Sequence, residues 1–219
     1  SGPEYSMEIT AAGLTIDGTS ALHADGGGYI GQTSGKCRSV GNKDVNGYNG
    51  APTHITGASH GGYGSMYSPA SGVTNQPYGS ITNPYTAGAS CYYNSGGYGS
   101  PTRGGGIVRV NLGNGTATIN GRISSDGISG GSYTEAGAGG SVMIDAGTIT
   151  GTGYISANGG TDVPWGGGGG GGRVAVNYNT LTGNFSYPTN VINNIRAFGG
   201  YGGLAGSAYY GGAGTVFVK

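Results

Sequence analysis

Residues 148–160 decide the fold class, and they read Thr-Ile-Thr-Gly-Thr-Gly-Tyr-Ile-Ser-Ala-Asn-Gly-Gly. Residues 15–27 align with this segment without gaps, and residues 118–127 form a third, shorter copy. A fourth copy is distorted: it begins at residues 181–183 and resumes, after an insertion, at residues 195–200. A repeat of this length indicates stacked units that share one core, since none can bury its apolar face alone.

A short segment of alternating character accompanies each copy of the repeat. Apolar and polar residues alternate with a period of two, which is typical of a β-strand with its aliphatic side chains on one face. The spacing is regular, because Ile144 lies 34 residues after Val110 and Val176 lies 32 residues after Ile144. The predicted strands are residues 7–10, 108–111, 142–145, 174–177 and 216–218.

The predicted fold is all-β and is a single β-repeat domain over residues 1–219. No segment of ten residues has helical periodicity, and the 54 glycines would each weaken a helix by up to about 1 kcal/mol. We therefore expect a right-handed parallel β-helix, or a related solenoid, with long glycine-rich connectors. A glycine-rich β-sandwich is the alternative, because the same strands could be distributed over two sheets.

The glycine-rich connectors contain most of the unusual sequence. The longest one, at about residues 29–106, interrupts the first and second repeats as a Tyr/Gly-rich insertion and contains both cysteines. Residues 166–172 are seven consecutive glycines. Poly-glycine is often a flexible linker. Inside so short a repeat, close backbone packing explains it equally well.

Composition and charge exclude several classes of function. The formal net charge is zero and no Lys/Arg cluster occurs, which argues against nucleic acid as a partner. No apolar run approaches the roughly 20 residues that a membrane-spanning helix needs, so we expect no membrane insertion. The three histidines have no metal-ligand spacing, and no cofactor motif is present. The scarcity of lysine favours an extracellular or cell-surface location.

Cys37 and Cys91 are the two cysteines. In an oxidising compartment we expect them to form a disulfide that closes a loop of about 55 residues, worth roughly 4 kcal/mol in the chain-entropy model. Two buried free thiols are the alternative.

The acidic residues could suggest a polysaccharide-degrading enzyme, since glycoside cleavage needs two carboxyl groups about 5–10 Å apart. However, at each of two positions of the repeat some copies have Asp and others have Asn. Asn cannot act as an acid or base, so this exchange suits stacked turns better than acid–base catalysis. We therefore predict no enzymatic activity and no catalytic residues. We call each such set of equivalent turn residues in successive repeats a turn ladder. The residues of the first ladder each precede a glycine and are Asp25, Asp126 and Asn158. Those of the second each follow a strand and are Asn111, Asp145 and Asn177.

The 17 tyrosines are candidates for contacts with other molecules, because tyrosine combines a large apolar face with a polar tip. Packing between glycine-rich strands is the simpler explanation. Asn114 and Asn184 each begin an N-glycosylation acceptor pattern. The candidate interface tyrosines are Tyr5, Tyr63, Tyr67, Tyr78, Tyr85, Tyr92, Tyr93, Tyr98, Tyr209 and Tyr210.

The order of motifs in residues 148–176 resembles the glycine-rich parallel β-repeat modules of large secreted, adhesin-like cell-surface proteins. The shared order is a strand, a Thr-Ile-x-Gly repeat ending in Asn-Gly-Gly, poly-glycine, and then Gly-Arg-Val-Ala-Val. The Gly/Tyr-rich residues 60–64 and 78–80 are similar to the intervening segment of these modules. The resemblance implies an extracellular structural or adhesive role and no catalytic residues.

The first and last predicted strands have no capping helix, so each would leave an open sheet edge. We expect the end of one subunit to dock on the start of the next, as in a filament or surface layer. Neighbouring repeats of a longer protein could instead cover these edges. An adhesive or glycan-binding module is the second hypothesis, and an enzyme acting on polysaccharide is a distant third.

Overall fold

The largest element of the structure is a seven-stranded β-sheet in which every strand pair is parallel. The computed structural model describes residues 4–31, 36–39, 43–46, 56–65, 75–92, 101–131, 134–161, 166–186, 190–202 and 209–219. The helical residues among these are a 3₁₀ turn at Gly183–Phe185 and a single turn, α1, at Val191–Asn194. The strands are β1 (Ser6–Thr10), β2 (Gly13–Ile16), β3 (Ala21–His23), β4 (Lys36–Ser39), β5 (Lys43–Asn46), β6 (Ser90–Tyr92), β7 (Ile107–Asn111), β8 (Thr116–Ile119), β9 (Arg122–Ser124), β10 (Ser141–Thr150), β11 (Tyr154–Ser156), β12 (Arg173–Leu181), β13 (Ile195–Arg196), β14 (Tyr201–Gly202), β15 (Tyr209–Tyr210) and β16 (Thr215–Val218).

The seven-stranded sheet branches at its longest strand. Its main path runs β1-β7-β10-β12-β16, and β10 pairs with β7 through its first half and with β8 through its second half. Strand β2 pairs with β8 in turn. A separate four-stranded parallel sheet has the order β13-β11-β9-β3. Two small antiparallel sheets complete the described strands, with orders β5-β4-β6 and β14-β15.

The hydrophobic core lies where the inward faces of the two parallel sheets meet. Alternate residues of each strand point into this core. Val108, Val142 and Val174, for example, lie side by side in the large sheet and are fully buried. Ile123 and Ile155 are neighbours in the four-stranded sheet and belong to the same core. Each buried aliphatic side chain of this size contributes roughly 1.5–3 kcal/mol. The core therefore depends on short, repeated apolar pairs rather than on long apolar segments.

The glycine-rich connectors form a hydrogen-bonded structure of their own, which we call the glycine bundle. It consists of extended segments whose backbone N–H and C=O groups bond to other segments. The bundle comprises residues 57–62, 87–90, 103–106, 125–128, 136–140, 157–160, 167–172, 197–200 and 211–214.

In two segments of the glycine bundle, residues 136–140 and 167–172, the hydrogen bonding has a period of three residues. In segment 136–140 the first and fourth N–H groups donate to segment 167–172. The second and fifth donate to segment 125–128, and the third donates to segment 87–90. A period of three matches the polyproline II helix, which has three residues per turn and no internal hydrogen bonds. These two segments therefore bond to neighbours in three directions, whereas a β-strand bonds in only two.

Close approach of the segments explains why glycine dominates the bundle. A Cβ atom on Gly170 would overlap the carbonyl oxygen of Gly62, and one on Gly172 would overlap that of Gly140. These neighbours are backbone atoms of other bundle segments, which cannot swing aside as a side chain could. The seven consecutive glycines are thus packed against backbone and are not a linker.

The prediction of a right-handed parallel β-helix is wrong, although the all-β character is correct. The described strands form a branched seven-stranded sheet, a four-stranded sheet and two small antiparallel sheets, and not one series of coils. A two-sheet β-sandwich does not describe them either, because there are four sheets. The physical reason is that the glycine-rich connectors do not simply link successive coils but bond to one another as the glycine bundle.

Part of the Tyr/Gly-rich insertion covers the outer face of the large sheet. The Ser141 hydroxyl donates to the carbonyl oxygen of Thr86 at 2.6 Å, and Arg173 Nε donates to that of Tyr78, also at 2.6 Å. Ile107 packs on the same face against Ala87. The insertion is therefore integrated into the domain at residues 75–90.

Candidate assembly interface and buried polar sites

The predicted disulfide is confirmed. Strands β4 and β6 pair antiparallel with Cys37 opposite Cys91, and the two sulfur atoms are bonded. Both residues are buried against small side chains, including Ala58, Ala89 and Ala138. The bridge therefore joins two distant parts of the insertion at the glycine bundle.

Asp25, Asp126 and Asn158 lie one above another in successive repeats. An Asp25 oxygen accepts the backbone N–H of Asp126 at 2.8 Å, and an Asp126 oxygen accepts that of Asn158 at 2.6 Å. The Asn158 amide oxygen then accepts the N–H of Phe198 at 2.9 Å. Each side chain thus satisfies a backbone donor of the next repeat, which is turn chemistry. Phe198 has no side-chain acceptor, so this ladder ends there.

The carboxyl groups of this ladder have different electrostatic surroundings. Asp25 forms an ion pair with Arg122 at 3.1 Å and lies 3.6 Å from the His23 ring. Burial raises the pKa of Asp126, while its hydrogen bond from Asn158 opposes that change. The neighbouring negative charge of Asp25 also raises the Asp126 pKa. The raised pKa of Asp126 therefore has its cause within the ladder itself.

Asn111, Asp145 and Asn177 are cross-strand neighbours in three parallel strands. Asn111 is the last residue of β7, whereas Asp145 and Asn177 lie within β10 and β12, so these two do not occupy turns as predicted. They line a shallow open groove on the outer face of the large sheet, with Tyr178 and Lys219 at one end. The Asn111 side chain accepts the N–H of Gly113 at 3.1 Å, which closes the turn after β7. Among the described residues, no three His, Cys, Asp or Glu side chains cluster as a metal site would require.

The candidate interface tyrosines divide by exposure. Tyr5, Tyr63, Tyr85 and Tyr210 are exposed, between 48% and 70%, and can reach other molecules. Tyr92 and Tyr209 are half-buried. Tyr78 differs from the rest, because its hydroxyl donates to the carbonyl oxygen of Ala87 and burial raises its pKa. Three others lie outside the described residues: Tyr67, Tyr93 and Tyr98.

Tyr85 is the exposed tyrosine with the most defined surroundings. The Arg109 guanidinium lies over its ring, 4.9 Å from the centroid, and donates to Asn83 at 3.1 Å. A hydrogen bond with Glu8 raises the pKa of the Tyr85 hydroxyl, and the negative charge of Glu8 adds to this effect. Glu8 on the edge strand β1, Arg109 on the neighbouring strand β7 and the ring of Tyr85 therefore lie together.

The two predicted glycosylation positions are not equivalent. Asn114 is exposed in the turn between β7 and β8. Asn184 is half-buried, and its side-chain amide donates to the carbonyl oxygen of Thr152 at 2.7 Å. A glycan on Asn184 would disrupt this hydrogen bond, so Asn114 is the better-placed acceptor.

His60 is a buried polar residue that sequence reasoning missed. Its side chain is fully buried, with Nδ1 2.7 Å from the carbonyl oxygen of Gly139 and Nε2 2.8 Å from the Thr86 hydroxyl. The His60 pKa is lowered from 6.5 to about 4, mainly by burial and in part by the positive charge of Arg173. The backbone hydrogen bond with Gly139 acts in the opposite direction. Only the fold could reveal this site, because Gly139 is 79 residues away in the chain.

The two ends of the parallel sheets have open edges. In the described part of the chain, β1 pairs only with β7, and β16 pairs only with β12. The four-stranded sheet likewise ends at β3 and β13. The end that carries β16 and β13 also has an apolar groove of about 510 Å³. The groove residues are Ile195, Ala197, Phe198, Ala213, Gly214, Val216 and Val218.

Opposite charges occupy these two ends. Residues 4–31, at the β1 end, contain four carboxylates and no lysine or arginine. Residues 177–219, at the β16 end, contain Arg196 and Lys219 and no carboxylate side chain. Glu4, Glu8 and Lys219 are exposed. Each end therefore has a local charge, although the chain is neutral as a whole.

Comparisons with known proteins found no matching family model, no similar curated protein and no similar solved structure. Within the described ranges, none of the helical segments has the length and apolar character needed to cross a bilayer.

Proposed function

We propose that this protein is a structural subunit that assembles end to end into an extracellular filament or surface layer. The observation that carries the proposal is the pair of open edges, β1 and β16, at opposite ends of one parallel sheet. Because all strands of that sheet run in the same direction, the two edges are compatible partners. A contact between different ends of identical subunits is heterologous and can propagate.

Exposed edges and apolar surface support the proposal. An unpaired edge strand offers a row of free N–H and C=O groups, which natural proteins usually cover. The groove at the β16 end contains Phe198 and Val216, whose side chains are 54% and 41% exposed. Apolar patches of this kind mark interaction sites. The Cys37–Cys91 disulfide suits an oxidising, extracellular location.

Electron microscopy and sedimentation over a range of concentrations test the proposal. We expect filaments or higher oligomers above a threshold concentration. Val216→Lys places a charge in the groove and should abolish assembly while the protein stays folded. Ile81→Lys is the matched control, because Ile81 is also exposed, at 49%, but lies in the insertion. Monodisperse wild-type particles at every concentration would refute the proposal.

An adhesive or glycan-binding module is the second candidate function. It is favoured by the exposed ring of Tyr85, which stacks with Arg109 on the outer face of the large sheet. Aromatic faces of this kind suit sugar rings as well as proteins. A glycan array with the wild type, Tyr85→Ala and the control Tyr210→Ala tests it. Binding by a monomer that only Tyr85→Ala loses would favour this function.

A further inference from the structure

We propose that β1 of a second copy docks beside β16 in the register that the strands within one subunit already use. This inference rests on the proposed end-to-end assembly and specifies its partner and its contacts. The seven-stranded and four-stranded sheets would both continue across the junction between subunits, which we call the seam.

The internal register determines which residues meet at the seam. In β12 and β16, Val174 lies opposite Val216 and Val176 lies opposite Val218. Extending this register by one strand places Met7 of the second copy beside Val216 and Ile9 beside Val218. Two apolar columns of the core then continue without a break. Within one subunit these columns are Met7, Val108, Val142, Val174 and Val216, and Ile9, Val110, Ile144, Val176 and Val218.

The four-stranded sheet leads to the same alignment independently. Leu22 pairs with Ile123 at the β3 end, and Ile155 pairs with Ile195 at the β13 end. The same one-strand extension places Leu22 of the second copy beside Ile195, which lines the apolar groove. One docking position therefore satisfies both sheets and fills the groove with aliphatic side chains.

Backbone donors at the β16 edge are oriented for this contact. The N–H groups of Thr215 and Lys219 donate inward, to Gly172 and Val176. Because alternate residues of a strand point opposite ways, the N–H groups of Val216 and Val218 face the open edge. Internal strands bond in the same way, so the second copy needs no new hydrogen-bonding geometry.

Charge complementarity specifies a second copy as the occupant. The β1 end carries the exposed carboxylates of Glu4, Glu8 and Asp17, besides Asp25, which pairs with Arg122, whereas the β16 end carries Arg196 and Lys219. In the proposed register, Lys219 lies diagonally across from Glu8, on the same face of the sheet, within reach of a long side chain. Like ends would repel, so the seam favours head-to-tail over head-to-head contact.

Cysteine cross-linking tests the register directly. The pair Glu8→Cys and Phe217→Cys, placed in one chain, should give a ladder of disulfide-linked oligomers on non-reducing gels after assembly. Directly opposite strand residues have the spacing that a disulfide requires. A link within one chain is excluded, because β1 and β16 are four strand intervals apart, about 19 Å.

The matched control moves one cysteine by two residues along the same face. Glu8→Cys with Thr215→Cys should give no ladder, because the Cα atoms would lie about 8 Å apart. Filaments that cross-link through the control pair, or through neither pair, would overturn the register while the proposed function stands. Absence of any assembly would overturn both.

Charge exchange is the second test. Lys219→Glu should raise the threshold concentration for assembly roughly fivefold, since it places like charges diagonally across the seam. Adding Thr10→Lys, at the exposed position directly opposite residue 219 in this register, should restore the wild-type threshold. An unchanged threshold in the single variant, or no recovery in the double variant, would contradict the proposed seam.

Discussion

Acidification should destabilise the protein through His60. The neutral ring is fully buried between Gly139 and Thr86, and burial lowers its pKa from 6.5 to about 4. Because the folded-state pKa lies below the unfolded value, the unfolded chain binds the proton first as the pH falls. The contribution to stability is complete above pH 6.5 and is lost progressively down to about pH 4. The loss amounts to about 3 kcal/mol.

Denaturant unfolding at several pH values between 7.5 and 4 measures this effect. His60→Gln keeps an amide that can donate to Gly139 and accept from Thr86, but it cannot titrate. The wild type should therefore lose about 3 kcal/mol relative to His60→Gln over this range. Subtracting the two curves removes other titrations, including that of Asp126, whose raised pKa acts in the opposite direction. His23→Gln is the matched control, because His23 is half-exposed beside Asp25.

Parallel stability curves for the wild type and His60→Gln would refute this reasoning. The reasoning would also be refuted if His23→Gln changed the pH dependence of stability as much as His60→Gln does. NMR titration of the folded wild type gives an independent measurement that does not depend on the folding of any variant. A His60 ring that titrates near 6.5 in the folded protein would show that burial does not control its protonation.

Two further predictions concern the glycine bundle and the disulfide. Gly170→Ala should destabilise the protein by about 3 kcal/mol or more, because its Cβ would overlap the backbone of Gly62, whereas Gly131→Ala, with open space around its Cβ, should have little effect. Thermal unfolding of both variants checks this, and equal melting temperatures would contradict the close packing. Reduction of the Cys37–Cys91 bridge should lower the free energy of unfolding by about 4 kcal/mol, as measured by denaturation with and without reductant. A Cys37→Ala/Cys91→Ala variant should be insensitive to reductant, and a loss below about 1 kcal/mol in the wild type would contradict the predicted contribution.

The strands could be predicted from the sequence because alternation involves only neighbouring residues. The disulfide could be predicted because the chain has only two cysteines. Alternation around Val108, Val142 and Val174 predicted strands that the structure contains. With only two cysteines, Cys37 had one possible intramolecular partner. The same reasoning failed for the connectors. Glycine has no side-chain pattern from which partners could be inferred, so the extended, three-directional bonding of residues 136–140 was not predicted.

The sequence alone determined the all-β class, the repeat and its strands, and the position of the cysteine pair. It could do so because side-chain alternation is a local property of the chain. The sheet order, the glycine bundle, the burial of His60 and the identity of the open edges became visible only in the folded structure. These depend on backbone hydrogen bonds and contacts between residues far apart in the chain, such as the 79-residue separation of His60 and Gly139. Backbone N–H and C=O groups are alike at every position, so the sequence does not indicate which of them bond to each other.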